Sequence, residues 1–397
     1  LNFTHIHLSV RIKKIRQEKR EESKIMTQLK KRAPFKFDIV GSFLRPEYLK
    51  EAREGWKKGT VTDEELRKTE DRAITELIEK QKEAGLPVIT DGEFRRSWWH
   101  LDFMWGLQGV KKLEVERGYA FHDEVTRGES AGLCGKISGE NHPFVEHFKF
   151  VKLFEDDIVT ARQTIPAPAQ FLAELERGDN LEQTRSYYPD EEELIQDIAS
   201  AYRTVIFDLY EAGCRNVQFD DCTWGMFCDT KYWEARQKGS KSVSSEAEKY
   251  VRLNNLAMEN LPEDLVINTH VCRGNYHSTW ASSGGYAPIA PHLFGKENVS
   301  AYYLEFDDER SGDFEPLHYV DGDKQVVLGL ITTKSPDLEE KSRIIERIRK
   351  ASRYIPLDRL SLSPQCGFAS TEEGNKLTEE EQWEKIKLVK EISEEVW

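Results

Sequence analysis

The 397-residue chain carries 57 Lys plus Arg against 71 Asp plus Glu, a formal net charge of −14, and is 38% hydrophobic. That field repels a phosphate backbone, and no basic stripe with interleaved aromatics appears, so nucleic acid is not an expected partner. No run of about 18 apolar residues exists to span a membrane as a helix. The six cysteines, at 134, 214, 222, 228, 272 and 366, lack the dense spacing of a small secreted scaffold, which points to a reducing cytoplasm.

Taken in chain order, residues 1–33 read as an extension without catalytic function. Arg11 to Lys24 is mostly charged, and Met26, just before the globular pattern, is the expected natural start. Eight short apolar or β-branched runs then read as strands: 37–43, 87–91, 158–165, 216–220, 265–270, 299–305, 325–331 and 359–363. Amphipathic stretches separate them. The box Thr62-Asp63-Glu64-Glu65 opens a helix that stops at Ala84-Gly85, and Pro189-Asp190-Glu191 opens another that ends near Ala212-Gly213. Further helices are expected over 338–354 and 378–396. Eight strands alternating with helices predict one (β/α)₈ barrel over residues 34–397. The aromatic, Gly-containing stretch 98–156 breaks the rhythm and reads as an inserted hairpin or lid between strands two and three. Its strand-like pieces lie at 110–116 and 144–153.

In such a barrel the reactive side chains sit where the strands end. Ser42 closes strand one, Glu93 follows strand two, Asp220 and Asp221 close strand four, and His270 and Cys272 close strand five. Glu305 ends strand six, Lys334 follows strand seven, and Cys366 follows strand eight. The His-x-Cys spacing puts both side chains on one face of an extended segment. Alone, it also fits a hydrogen-bonded core histidine beside a small buried thiol. With Glu305 and Cys366 on the same rim, it predicts a Cys₂HisGlu site for Zn²⁺, since thiolates select a soft or borderline metal over Mg²⁺ or Ca²⁺. Cys134, Cys214, Cys222 and Cys228 read as structural.

These residues resemble a family. Thr269-His270-Val271-Cys272, the carboxylate of Tyr303-Leu304-Glu305, and Ser363-Pro364-Gln365-Cys366-Gly367 resemble the zinc motifs of cobalamin-independent methionine synthase. Val40-Gly41-Ser42-Phe43, Asp91-Gly92-Glu93-Phe94 and Gln218-Phe219-Asp220-Asp221 extend the likeness to strands one, two and four. It runs from about residue 34 to the end and covers a single barrel, as in the short members. The resemblance implies an S-methyltransferase of methionine biosynthesis that activates the homocysteine thiol on Zn²⁺ and methylates it, with 5-methyltetrahydrofolate as donor. It assigns His270, Cys272, Glu305 and Cys366 to zinc, Glu93 and Asp220 to the homocysteine ammonium, and Val40 to Ser42 to its carboxylate. Trp98, Trp99 and Trp224 are candidates to stack on a pterin. His277 reads as a surface histidine in the loop after Cys272.

Two departures bear on the donor. The methionine synthases usually carry a histidine, a proposed proton carrier, near the position of Lys334; here a lysine would be the catalytic acid. The N-terminal barrel of the full-length enzyme is also outside the likeness. The alternatives are a thiol methyltransferase with another methyl donor, a uroporphyrinogen-decarboxylase-like barrel that needs no zinc, and a non-catalytic zinc- or thiol-binding protein. A water-activating hydrolase is disfavoured, because such barrels usually present His-x-His. Homo-oligomerisation is compatible with each reading.

Overall fold

The computed structural model describes residues 32–236 and 242–397. The expected start at Met26, and most of the expected extension, lie outside them. Ala33 is already buried, with its amide donating to Asn216 Oδ1 at 3.2 Å.

Helices α1 (Glu47–Lys57) and α2 (Asp63–Glu83) lead into the short strand β1 (Val88–Ile89). The capping box at the start of α2 is present: Thr62 and Glu65 satisfy each other's backbone amides. Then come α3 (Leu101–Gly106), β2 (Gln108–Glu114), β3 (Glu129–Ser138) and α4 (Pro143–Lys152). Strands β2 and β3 pair antiparallel, giving the expected inserted hairpin. The piece 144–153, expected as strand-like, is α4 instead. His142 caps it by accepting from the Phe144 amide, Pro143 sits in its first turn, and Phe144, Phe148 and Val151 form a helical apolar stripe. Three phenylalanines and two valines in ten residues imitate β propensity.

Beyond the insertion lie β4 (Thr160–Ala161), β5 (Gln163–Pro166), α5 (Pro168–Leu175), α6 (Asn180–Tyr187) and α7 (Glu191–Glu211). The core side of α7 is an i, i+4, i+8, i+11, i+15 series, Leu194, Ile198, Tyr202, Val205 and Leu209, all buried. Strand β6 (Asn216–Asp221), helices α8 (Thr223–Cys228), α9 (Thr230–Arg236) and α10 (Val243–Ala257), and strand β7 (Val266–Val271) follow. The chain ends with α11 (Ala290–Lys296), β8 (Ala301–Glu305), β9 (Gln325–Ile331), α12 (Lys341–Ala351), β10 (Leu360–Pro364) and α13 (Glu379–Val396).

Strands β5 to β10 form one parallel sheet in sequential order, and β1 pairs parallel with β4. Nearly every residue of this sheet is buried, as expected when helices cover one face and side chains fill the other. The expected first strand, 37–43, is not a regular strand. It makes one parallel bridge to β10 (Phe37 with Leu362) and one beside β1 (Ser42 with Gly92). Inside the arc, Arg162 Nη2 meets Asp38 Oδ1 at 2.9 Å and donates to Tyr303 Oη at 2.8 Å, while that hydroxyl donates to Asp38 Oδ2 at 2.8 Å. This network ties the first, third and sixth expected strands across the interior, away from water. No helix of the described residues is long and apolar enough to cross a membrane.

Candidate metal centre

Parallel register delivers the site. His270 lies beside Tyr303, Glu305 beside Gly329, and Pro364 beside Ile331, so the carboxyl ends of β7, β8 and β10 share one rim. There the ligand atoms of His270, Cys272, Glu305 and Cys366 all lie within 4.8 Å of one another, and all four residues are buried. The Sγ atoms of Cys272 and Cys366 are 3.8 Å apart. His270 Nδ1 lies 3.3 Å from the Tyr303 carbonyl, which takes its proton and leaves Nε2 as the lone-pair nitrogen. That Nε2 is buried without a hydrogen-bond partner; Glu305 Oε2 also accepts no hydrogen bond and faces Lys334 Nζ at 3.6 Å. Glu305 Oε1 is held by the Arg273 amide at 2.6 Å. Two acceptors without hydrogen bonds and two converging thiols are a donor set that a bound metal cation would satisfy. The thiols resist ionisation by themselves. Contact with Cys222 and burial push the Cys272 pKa well up, and contact with Cys272 and burial do the same to Cys366. A divalent cation reverses that order by stabilising both thiolates. The donor set fits zinc.

Beside this cluster lie two buried carboxylates. Glu93 follows β1 with φ of +63°, an uncommon conformation for a residue with a Cβ, which aims its side chain inward. Its Oε1 accepts from Arg96 at 3.1 Å and from Thr164 at 3.2 Å, while Oε2 has no partner. Asp220 Oδ1 accepts from Gln218 at 2.9 Å. Burial raises both pKa values, and the charge of Glu93 pushes Asp220 further up. Ser42 is buried against the Cys366 loop, its Oγ 3.4 Å from the Ala369 amide. A Cβ on Gly367 would come within 1.9 Å of that Oγ, so only glycine fits there.

A cavity of about 430 Å³ opens onto the rim. Trp98, Tyr119 and Phe121 from the insertion wall it, and Cys222, Cys272 and Tyr276 line it from the strand ends. Trp99 also lines it, but Trp224 does not. Trp224 is fully buried and packs edge-on against Phe227, three residues along α8, so the expected stacking role is replaced by a core role. His277 is partly exposed, as expected, with Nδ1 2.8 Å from Glu124 of the insertion. Lys334 is partly buried, its Nζ 3.6 Å from Glu305 Oε2 and 3.3 Å from Asp307 Oδ2.

Three participants escape sequence reasoning. Cys222, read as structural, contacts Cys272 and lines the cavity; its place directly after Asp220-Asp221 was the available signal. Asp307 and Arg273 lie two residues past β8 and one past Cys272, where only strand-end position marks them.

A parallel α/β architecture with a buried donor set of two thiols, an imidazole and a carboxylate at its strand ends, placed so that it could hold a metal ion, defines a member of the barrel-like α/β class. The chain belongs to the cobalamin-independent synthase catalytic-domain family, whose model matches residues 36–140 and 182–382. It is similar to the uncharacterized Bacillus subtilis protein YxjH, 43% identical over 372 residues that cover 94% of this chain and 97% of that protein. A Listeria monocytogenes structure, provisionally described as a vitamin-B12-independent methionine synthase, is 39% identical with a TM-score of 0.72, covering 92% of this chain and 98% of that one. The methionine synthase of Saccharolobus solfataricus is 24% identical over 343 residues, 83% of this chain and 87% of that protein. Membership of this family implies methyltransferase chemistry.

Proposed function

We propose that this protein is a cytoplasmic zinc-dependent methyltransferase that methylates homocysteine to methionine, with 5-methyltetrahydrofolate as donor. The observation that carries it is the four-ligand cluster, in which neither His270 Nε2 nor Glu305 Oε2 has a hydrogen bond. Zinc held there would lower the pKa of a coordinated thiol from near about 8.5, supplying a thiolate at neutral pH.

The protein's own groups do the rest. Glu93 and Asp220, each raised by burial, form a site that gains most when an ammonium group arrives between them. Ser42 and the backbone from Val40 meet the substrate carboxylate. The cavity takes the donor against Trp98 and Trp99, with the insertion acting as a lid that excludes water. The two bridges of segment 37–43 and the Asp38–Arg162–Tyr303 network support reading the sheet as a closed (β/α)₈ barrel.

Methyl transfer to sulfur breaks the carbon–nitrogen bond of the donor, and the departing ring nitrogen takes a proton. Burial acts to lower the Lys334 pKa, but Asp307 and Glu305 outweigh it and raise it, so this lysine holds its proton tightly. That favours, as a second reading, a donor whose leaving group needs no protonation. The test is methionine formation by zinc-loaded protein from homocysteine with methyltetrahydrofolate, its polyglutamate, or methylcobalamin. Turnover with a folate is the expected result. Turnover with methylcobalamin alone would support the second reading, and none with any donor would contradict both.

A further inference from the structure

Lys334 lies against the candidate metal centre. Its Nζ lies 3.6 Å from Glu305 Oε2, the carboxylate oxygen with no hydrogen bond, and 3.3 Å from Asp307 Oδ2 on its other side. Only 9% of the side chain is exposed, so the ammonium cannot swing into water. Thr332 Oγ1 donates to Asp307 Oδ2 at 3.0 Å, and Arg310 Nη2 lies 3.9 Å from the same oxygen, which anchors the far carboxylate. The charged groups acting on Lys334 are Asp307, Glu305, Arg310 and Cys366. Two of those four, Glu305 and Cys366, belong to the metal cluster.

We propose that Lys334 is a positioning residue, a fixed counter-cation that lowers zinc affinity at this centre and raises its affinity for an anionic thiolate. The inference rests on the zinc–thiol reading of the site and adds how its charge is set. Two thiolates and a carboxylate around a divalent ion leave the cluster with one net negative charge. That charge opposes a fourth anion, the incoming substrate sulfur. A buried ammonium against Glu305 restores neutrality. The same ammonium repels the metal ion, because both are cations in a water-poor setting where charges are weakly screened. Metal affinity and thiolate affinity must therefore move in opposite directions when this charge changes.

That opposition separates the proposal from a merely structural role. The probes are zinc, measured by chelator competition, and homocysteine, measured calorimetrically on zinc-loaded protein. In Lys334→Met, zinc affinity is expected to rise about tenfold, while homocysteine affinity at neutral pH falls about tenfold. The pH midpoint of homocysteine binding moves up by about one unit, since the bound thiol loses a favourable charge. Lys334→Arg keeps both values near wild type. Asp307→Asn removes an anion from the far side and is expected to shift both affinities the other way. It also keeps the proposal open to test if Lys334→Met does not fold. Parallel losses of both affinities, or no change in either, would overturn the counter-cation role. A wild-type protein that binds zinc but not homocysteine would instead overturn the thiol-activation reading.

Discussion

Replacing Cys366 with alanine is expected to remove stoichiometric zinc and to lower methyl transfer by about a thousandfold or more. The side chain supplies one of only two thiolates, and its Sγ is 3.8 Å from that of Cys272. With it gone, His270, Cys272 and Glu305 remain of the cluster. Cys222 contacts Cys272 from the cavity side and is the nearest remaining thiol, so Cys366→Ala with Cys222→Ser is the control. Elemental analysis after dialysis against a weak chelator reads the outcome. One zinc per chain retained in Cys366→Ala but lost in the double variant would make Cys222 a substitute ligand. Full retention in both would contradict the assigned donor set. The substitution itself replaces a small buried side chain with a smaller one, so thermal unfolding of the apoprotein is expected to change little by comparison.

The largest expected loss of stability comes from the interior network, not from the site. Arg162→Met leaves Asp38 charged, buried and without its cation; breaking such a pair costs about 3–5 kcal/mol. Both side chains are 0% exposed, so solvent cannot take over. Tyr303→Phe keeps the ion pair and removes one hydroxyl that donates to Asp38 and accepts from Arg162, which costs about 1–2 kcal/mol. Chemical denaturation of the two variants against wild type checks the order. A loss below about 1 kcal/mol for Arg162→Met would mean that the network contributes nothing beyond packing. The residues are far apart in the chain, and their convergence is what the closed arrangement of strands proposed above would bring about. Loss of cooperativity in Arg162→Met would support that closure directly.

Much of this molecule is legible from patterns with a local cause. The capping box at Thr62 and the stop at Gly85 bound α2 because backbone amides and a left-handed turn have few chemical solutions. The His270-x-Cys272 pair survives translation into structure because extended backbone places alternate residues on one face, and parallel register brings Glu305 and Cys366 beside it. What sequence alone does not resolve is set by tertiary contacts. Segment 144–153 folds as a helix through a histidine cap and a proline that outweigh its aromatic content. Trp224 and Trp98 look alike in sequence, yet one fills the core and the other walls the cavity. The ion pairs of Lys334 depend on Asp307, whose position past β8 carries no motif of its own. Segment 37–43 has the composition of a strand but meets each neighbour at a single bridge.

The most direct test of the central claim is isothermal calorimetry of homocysteine binding to zinc-loaded and chelator-stripped protein, run near pH 7 in two buffers of different ionisation enthalpy. If His270, Cys272, Glu305 and Cys366 hold a zinc ion that takes the substrate sulfur as thiolate, the loaded protein releases close to one proton per homocysteine bound. The stripped protein then binds far more weakly and releases none. Equal binding by the two forms, or binding without proton release, would contradict it.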